Sequence, residues 1–216
     1  IIVIDSNSND NTIKICKQNK IRIYNNKFIN QAKQMNWALK NVPIKTKWIF
    51  RIDADEIVEN SFFNKVGYLI EYKKNISGIL IERKIKFLNK IINYGLTSPH
   101  KTLRIWRNGY CKYQNLNVDE QAEVKGKIYL SNAIIIDHNL KSFYWWLNKH
   151  NDYARRETKN YFLYKNKNKT KTITLNDMSK VKQNKKFSIY YKFPIFIRPV
   201  ILFLYSYFFK LGFLSG

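Results

Sequence analysis

The sequence predicts an α/β domain with a mostly parallel sheet flanked by helices. Three observations carry that reading. Short apolar runs rich in β-branched residues occur at 1–4, 21–24 and 48–52, helix-period segments lie between them, and a polar loop follows the first and third runs. Strand and helix in alternation require crossover connections, which make neighbouring strands parallel.

The first run, Ile1-Ile-Val-Ile4, ends in Asp5-Ser-Asn-Ser-Asn-Asp-Asn-Thr12, and a helical pattern with Ile13, Ile15 and Cys16 follows. Ser8 or Asp10 suits a helix cap. Asp5 precedes the cap and stands at the carboxyl end of a strand, where open α/β sheets bind ligands. A strand at 21–24 and a helix at 31–41 lead to the strand 48–52, which delivers Asp53 and Asp55. In an extended strand, residues i and i+2 point the same way, so both carboxylates face one space and repel. A hard divalent ion, Mg2+ or Mn2+, with substrate phosphates completing its shell relieves that repulsion. The same acids also fit a plain turn that caps a helix starting near Asn60.

After a helix at 62–72, the runs 78–88 and 102–106 read as strands of a different rhythm, expected to form an acceptor-side half, with Gly95 and Pro99 marking the connection. A further apolar run at 133–136 ends in Asp137 and His138. A long aromatic helix is expected over 142–164, where packing explains Trp145 and Trp146 better than stacking on a sugar does. A Lys/Asn-rich connector follows over 165–192, then an apolar segment over 193–216.

At 216 residues and 45% hydrophobic, the chain has enough apolar side chains for a substantial core. Its net charge of +24 raises nucleic acid and anionic membrane as partners. The excess is chiefly Lys beside abundant Asn and Ile, the trio an AT-rich coding sequence yields, and no nucleic-acid motif is present; no nucleic-acid partner is expected. Cys16 and Cys111 are isolated, which argues against disulfide or zinc chemistry and fits a reducing compartment. In the terminal segment the charge-free run 199–209 is too short for the ~20 apolar residues of a spanning helix. Lys192, Arg198 and Lys210, with Tyr205 and Tyr207, suit a helix lying at an anionic membrane surface. Docking of the segment on the rest of the chain is the alternative.

Asp5-Ser-Asn-Ser-Asn-Asp-Asn-Thr12, Ala32-Lys-Gln-Met-Asn-Trp-Ala-Leu39 and Arg51-Ile-Asp-Ala-Asp-Glu56, in this order, resemble the inverting family 2 glycosyltransferases of the nucleotide-sugar-binding GT-A fold. Val118-Asp-Glu120, Lys149-His-Asn-Asp-Tyr-Ala154 and Tyr207-Phe-Phe-Lys-Leu-Gly-Phe-Leu-Ser-Gly216 are similar to the bacterial branch that includes the lipopolysaccharide-core β-1,4-glucosyltransferase. The resemblance implies a GT-A domain over 1–141 and a UDP-sugar or other nucleotide-sugar donor. It also implies a lipid-linked saccharide acceptor such as lipopolysaccharide core, and peripheral attachment at the cytoplasmic face of the bacterial inner membrane.

By the same resemblance Asp5 contacts the nucleobase, Asp53 the ribose or the metal, and Asp55 the metal and diphosphate, the metal being Mn2+ or Mg2+. An inverting displacement needs a carboxylate to take the proton of the attacking hydroxyl. Glu120 matches the acid of this branch, whereas Asp119 occupies a position often held by a non-acid. The family pattern has a His at His138, either a further metal ligand or a hydrogen-bonded residue that orients its loop. Family members begin with an extra strand and helix that this sequence lacks, so an N-terminally incomplete domain is expected. A non-catalytic sugar-nucleotide-binding relic is the competing reading. A nucleotidyltransferase is a remoter one, without its nucleotide-loop signature.

Overall fold

The β-branched run that opens the chain forms β1 (Ile2–Asp5), and it pairs in parallel with β2 (Arg22–Asn25), Ile2 opposite Arg22 and Asp5 opposite Asn25. The crossover between them carries α1 (Thr12–Gln18), whose first N–H is met by the Asp10 side chain at 2.9 Å, so Asp10 serves the helix start. In this computed structural model the described residues are 1–96, 98–114, 122–167, 193–194 and 196–215. Next comes α2 (Gln31–Asn41), with Asn30 as its N-cap accepting from the Lys33 N–H at 2.8 Å.

The expected α/β class is what the chain forms. Strand β3 (Trp48–Phe50) is followed by β4 (Glu56–Val58), α3 (Phe62–Tyr72), β5 (Ile76–Phe87), β6 (Lys90–Ile92), β7 (His100–Arg107), β8 (Cys111–Tyr113), β9 (Ala122–Val124) and β10 (Lys127–Asp137). These make a sheet of order β3-β7-β5-β10-β4 with β6 beside β5, and a separate β8-β9 pair. The parallel direction is realised in β1 with β2. Strands β3 with β7, β5 with β6, and β8 with β9 run antiparallel; for β5 with β6 and β8 with β9 one strand follows the other without a helix between, as antiparallel pairing allows.

The chain forms two compact units, one made of Ile1–Ala54, Val58–Glu82 and Lys101–Ile135, the other of Asp55–Ile57, Arg83–His100 and Ile136–Gly216. In the first, Phe62 and Val66 of α3 pack on Ile76, Ile79 and Ile81 of β5 and on Ile105, Ala133 and Ile135. Phe62 is fully buried with its ring 5.0 Å from that of Phe50, so truncation to Ala costs about 3–5 kcal/mol. A second cluster seats Ala32 of α2 against Trp106 and Tyr113.

In the second unit α4 (Phe143–Lys167) carries an aromatic stripe: Trp146 lies 5.3 Å from Phe87 and stacks at 5.7 Å on Phe143. Trp146 therefore packs as the sequence suggests, whereas Trp145 remains 37% exposed, with the Lys149 ammonium 4.9 Å from its ring centre. The terminal segment forms α5 (Ile197–Leu204), a wide π-helical turn (Tyr205–Phe209) and a 3₁₀ turn (Gly212–Ser215). A Cβ on Gly212 would meet the Ser206 carbonyl oxygen at 2.8 Å, so only glycine fits the reversal. Main-chain and hydroxyl bonds tie this segment down: the Gly95 N–H donates to the Lys210 carbonyl at 3.0 Å, the Tyr94 N–H to Ser215 Oγ at 3.0 Å, and the Leu96 N–H to Ser206 Oγ at 3.3 Å. Yet no side chain of α5 is buried, so the segment both docks and presents apolar surface. No helix among the described residues is long and apolar enough to cross a membrane.

Candidate functional site

Asp5 ends β1 and is buried, and its carboxylate accepts the Ser8 N–H at 3.1 Å. Hydrogen bonding from Ser8, against the opposing effect of burial, holds its carboxyl below the usual carboxylate range. The loop that follows is fastened by α2: Gln34 donates to Ser6 Oγ at 3.0 Å and accepts from Asn26 at 2.6 Å. Two residues on, Asn36 makes a reciprocal pair with the main chain of Tyr113, at 2.8 and 2.9 Å. Gln34 and Asn36 thus give part of the Ala32 to Leu39 motif a positioning role.

Asp53 lies beyond the end of β3, which stops at Phe50 rather than at residue 52, and Ala54 and Asp55 form a turn. The two acids therefore do not sit on an extended strand as the spacing suggests. The chain turns here before Glu56 enters β4, and the Asp53 carboxylate meets two guanidinium groups. Arg51 reaches it through Nε at 3.1 Å and Nη2 at 3.0 Å, and Arg104 of β7 through Nη2 at 3.0 Å. Burial works to raise the Asp53 carboxyl, but the charges of Arg104 and Arg51 outweigh it and hold the carboxyl below its ordinary value. Tyr113 completes the cluster, its hydroxyl 3.2 Å from Arg51 Nη1. Burial pushes the neighbouring Cys111 thiol up to about 12, so it is no nucleophile at neutral pH.

Asp55 is exposed and belongs to the second unit, where its main-chain carbonyl accepts the His138 N–H at 2.8 Å and its Oδ2 lies 3.4 Å from Asn139 Nδ2. The fold brings together two residues separately picked out in the sequence. Arg83 braces the same neighbourhood, with Nε on the fully buried Glu56 carboxylate at 3.1 Å and Nη2 on Asp137. No group of three or more His, Cys, Asp or Glu side chains gathers for a metal among the described residues. Asp55 and His138 therefore make no complete metal site by themselves, and a divalent cation there would need donor phosphates to fill its shell, the way Mg2+ is commonly held. Asp119 and Glu120 lie outside the described residues.

Spacing alone misses Arg51, Arg104 and Tyr113. A signal was there: an Arg inside the buried run Thr102-Leu-Arg-Ile-Trp106 demands a carboxylate partner.

Acids stand at the carboxyl end of β1 and beyond that of β3, the strand ends at which α/β domains bind ligands. The chain matches glycosyl transferase family 2 over residues 1–120 and belongs to that family; it is a glycosyltransferase domain. The matched stretch includes Asp5, Asp53, Asp55, Asp119 and Glu120, whereas His138, α4 and α5 lie beyond it. No curated protein matches the chain.

Proposed function

We propose that this glycosyltransferase moves a sugar from a nucleotide donor, a UDP-sugar, to a hydroxyl of a lipid-linked saccharide, of the lipopolysaccharide-core kind, by inverting displacement. The observation that supports the reading is the main-chain hydrogen bond between His138 and Asp55, which holds these two sequence-predicted residues in one stretch of backbone, with the Asp55 side chain exposed. Asp55 and His138 would hold Mn2+ or Mg2+, which when bound neutralises the departing diphosphate. Asp53, with both oxygens engaged by arginines, suits the ribose better than the metal. Asp5 faces the nucleobase, and Glu120, rather than Asp119, takes the proton of the attacking hydroxyl.

Attachment to the cytoplasmic face of the inner membrane is the companion proposal. Phe196 is 91% and Phe209 79% exposed, with Arg198 and Lys210 nearby in sequence, a combination that suits an anionic lipid surface. UDP-sugar turnover by the chain, followed by UDP release with and without EDTA, tests the enzyme reading. Donor-dependent UDP release that needs Mn2+ or Mg2+ and is lost in Asp55→Asn is expected. UDP binding without any turnover would favour the non-catalytic relic.

A further inference from the structure

The second unit contains a cleft of about 690 Å³ lined by Arg83, Phe87, Asp137, Asn139, by the Trp145 to Tyr153 stripe of α4, and by Phe203 and Tyr207. That volume falls in the range of small-molecule sites. Its lining combines aromatic rings with a surplus of positive charge. Trp145, Lys149 and Tyr153 are spaced i, i+4, i+8 along α4, so they share one stripe. The Lys149 ammonium sits 4.9 Å from the Trp145 ring centre and 5.8 Å from that of Tyr153. Asp137 is already paired with Arg83, whereas Lys86, Lys141 and Lys149 have no carboxylate partner among the described residues.

The cleft also adjoins Asp55. Asn139 accepts the Lys141 N–H at 2.9 Å and places its own Nδ2 3.4 Å from the Asp55 carboxylate, so one side chain joins the cleft wall to the proposed diphosphate end of the donor site. Exposed aromatic faces suit the apolar face of a pyranose ring, and lysines without a carboxylate partner among the described residues suit a phosphate or carboxylate on it.

We propose that this cleft is a subsite for an anionic saccharide, with its sugar ring on Trp145 and its negative group on Lys149 and Lys141. That such a saccharide is the acceptor rests on the glycosyltransferase reading above; that the cleft binds it does not.

Saturation-transfer NMR on the chain, with glucose 6-phosphate and glucose as probes, tests the ligand class. Glucose 6-phosphate should bind about tenfold more tightly than glucose, Lys149→Gln and Lys141→Gln should each remove much of that preference, and Trp145→Ala should abolish both signals. The two lysine variants change exposed or half-buried side chains, so each should keep the wild-type melting temperature. Equal binding of the two sugars, or a preference untouched by both lysine variants, overturns the proposal. Displacement of glucose 6-phosphate by UDP also overturns it, since the cleft would then belong to the donor. UDP affinity, measured separately by calorimetry, keeps the two readings apart. Glucose 6-phosphate binding without UDP binding upholds the cleft and sinks the UDP-sugar donor proposed above, and the reverse sinks the cleft alone.

Discussion

The backbone N–H of His138 donates to the carbonyl oxygen of Asp55 at 2.8 Å, and this bond joins the end of β10 to the turn before β4. A main-chain bond does not depend on the imidazole, and alanine at 138 keeps the N–H that makes it. That makes it possible to separate the two roles open to His138, metal ligand and loop anchor. His138→Ala leaves the anchor in place, so a weaker Mn2+ affinity, expected as a rise of about tenfold or more in the concentration for half-maximal turnover, reports the imidazole alone. An unchanged Mn2+ dependence would assign His138 to the loop. Asp55→Asn should leave almost no turnover at any Mn2+ concentration.

Asp53 and its two arginines make a second test, of stability. The side chain of Asp53 is 34% exposed, so the 3–5 kcal/mol typical of breaking a fully buried pair is discounted to about 1–2 kcal/mol for Asp53→Asn. The sign with pH follows from the lowered carboxyl. A depressed folded-state value contributes stability that is fully present above the unfolded value of about 4 and is lost as pH falls through the folded one. Urea unfolding at pH 7 should separate wild type from Asp53→Asn. The gap should narrow below about pH 4; a gap that widens there would show that the arginines do not stabilise the ionised form.

Transfer chemistry at 119–120 is tested by two isosteric changes. Glu120→Gln keeps size and removes basicity, so kcat should fall by about 10²–10⁴-fold with donor KM nearly unchanged. Asp119→Asn should cost far less. A dead Asp119→Asn beside an active Glu120→Gln would exchange their roles.

Much of this fold could be read from residue periodicity. The helices at 31–41 and 62–72 fall where the apolar spacing puts them, since each has a continuous face of Ala, Leu, Val or Phe to bury. Strand β4 could not be read so. It is three residues long and begins with a buried Glu56, whose carboxylate Arg83 reaches from β5. The same limit hid the surroundings of Asp53, because Arg104 lies 51 positions away and only the pairing of β3 with β7 brings it near. Motif spacing picked out Asp5, Asp53 and Asp55; Ser8 and Arg51 are local partners, while long-range pairing supplied Arg104 to Asp53 and Asn139 to Asp55. Trp145 shows the converse: its helix was legible, but its exposure depends on what packs against that helix.

The terminal segment gives the last prediction, which concerns lipid. Deleting 193–216 would also remove the bonds to Tyr94, Gly95 and Leu96 and disturb the cleft, so point changes are cleaner. Phe196, Phe208 and Phe209 are 91%, 55% and 79% exposed, so replacing them by Ser removes no core packing. Each ring that enters the acyl region contributes about 1.5–3 kcal/mol when fully buried, so each Phe→Ser should weaken liposome partition about tenfold. Arg198 and Lys210 add about 1 kcal/mol each near anionic headgroups, and that part alone is screened by salt. Co-sedimentation with phosphatidylglycerol-containing vesicles should therefore fall only partly at 1 M NaCl in the wild type and almost completely in the triple Phe→Ser variant. If the triple variant pellets like wild type at both salt concentrations, the aromatic face of the segment is not what touches lipid.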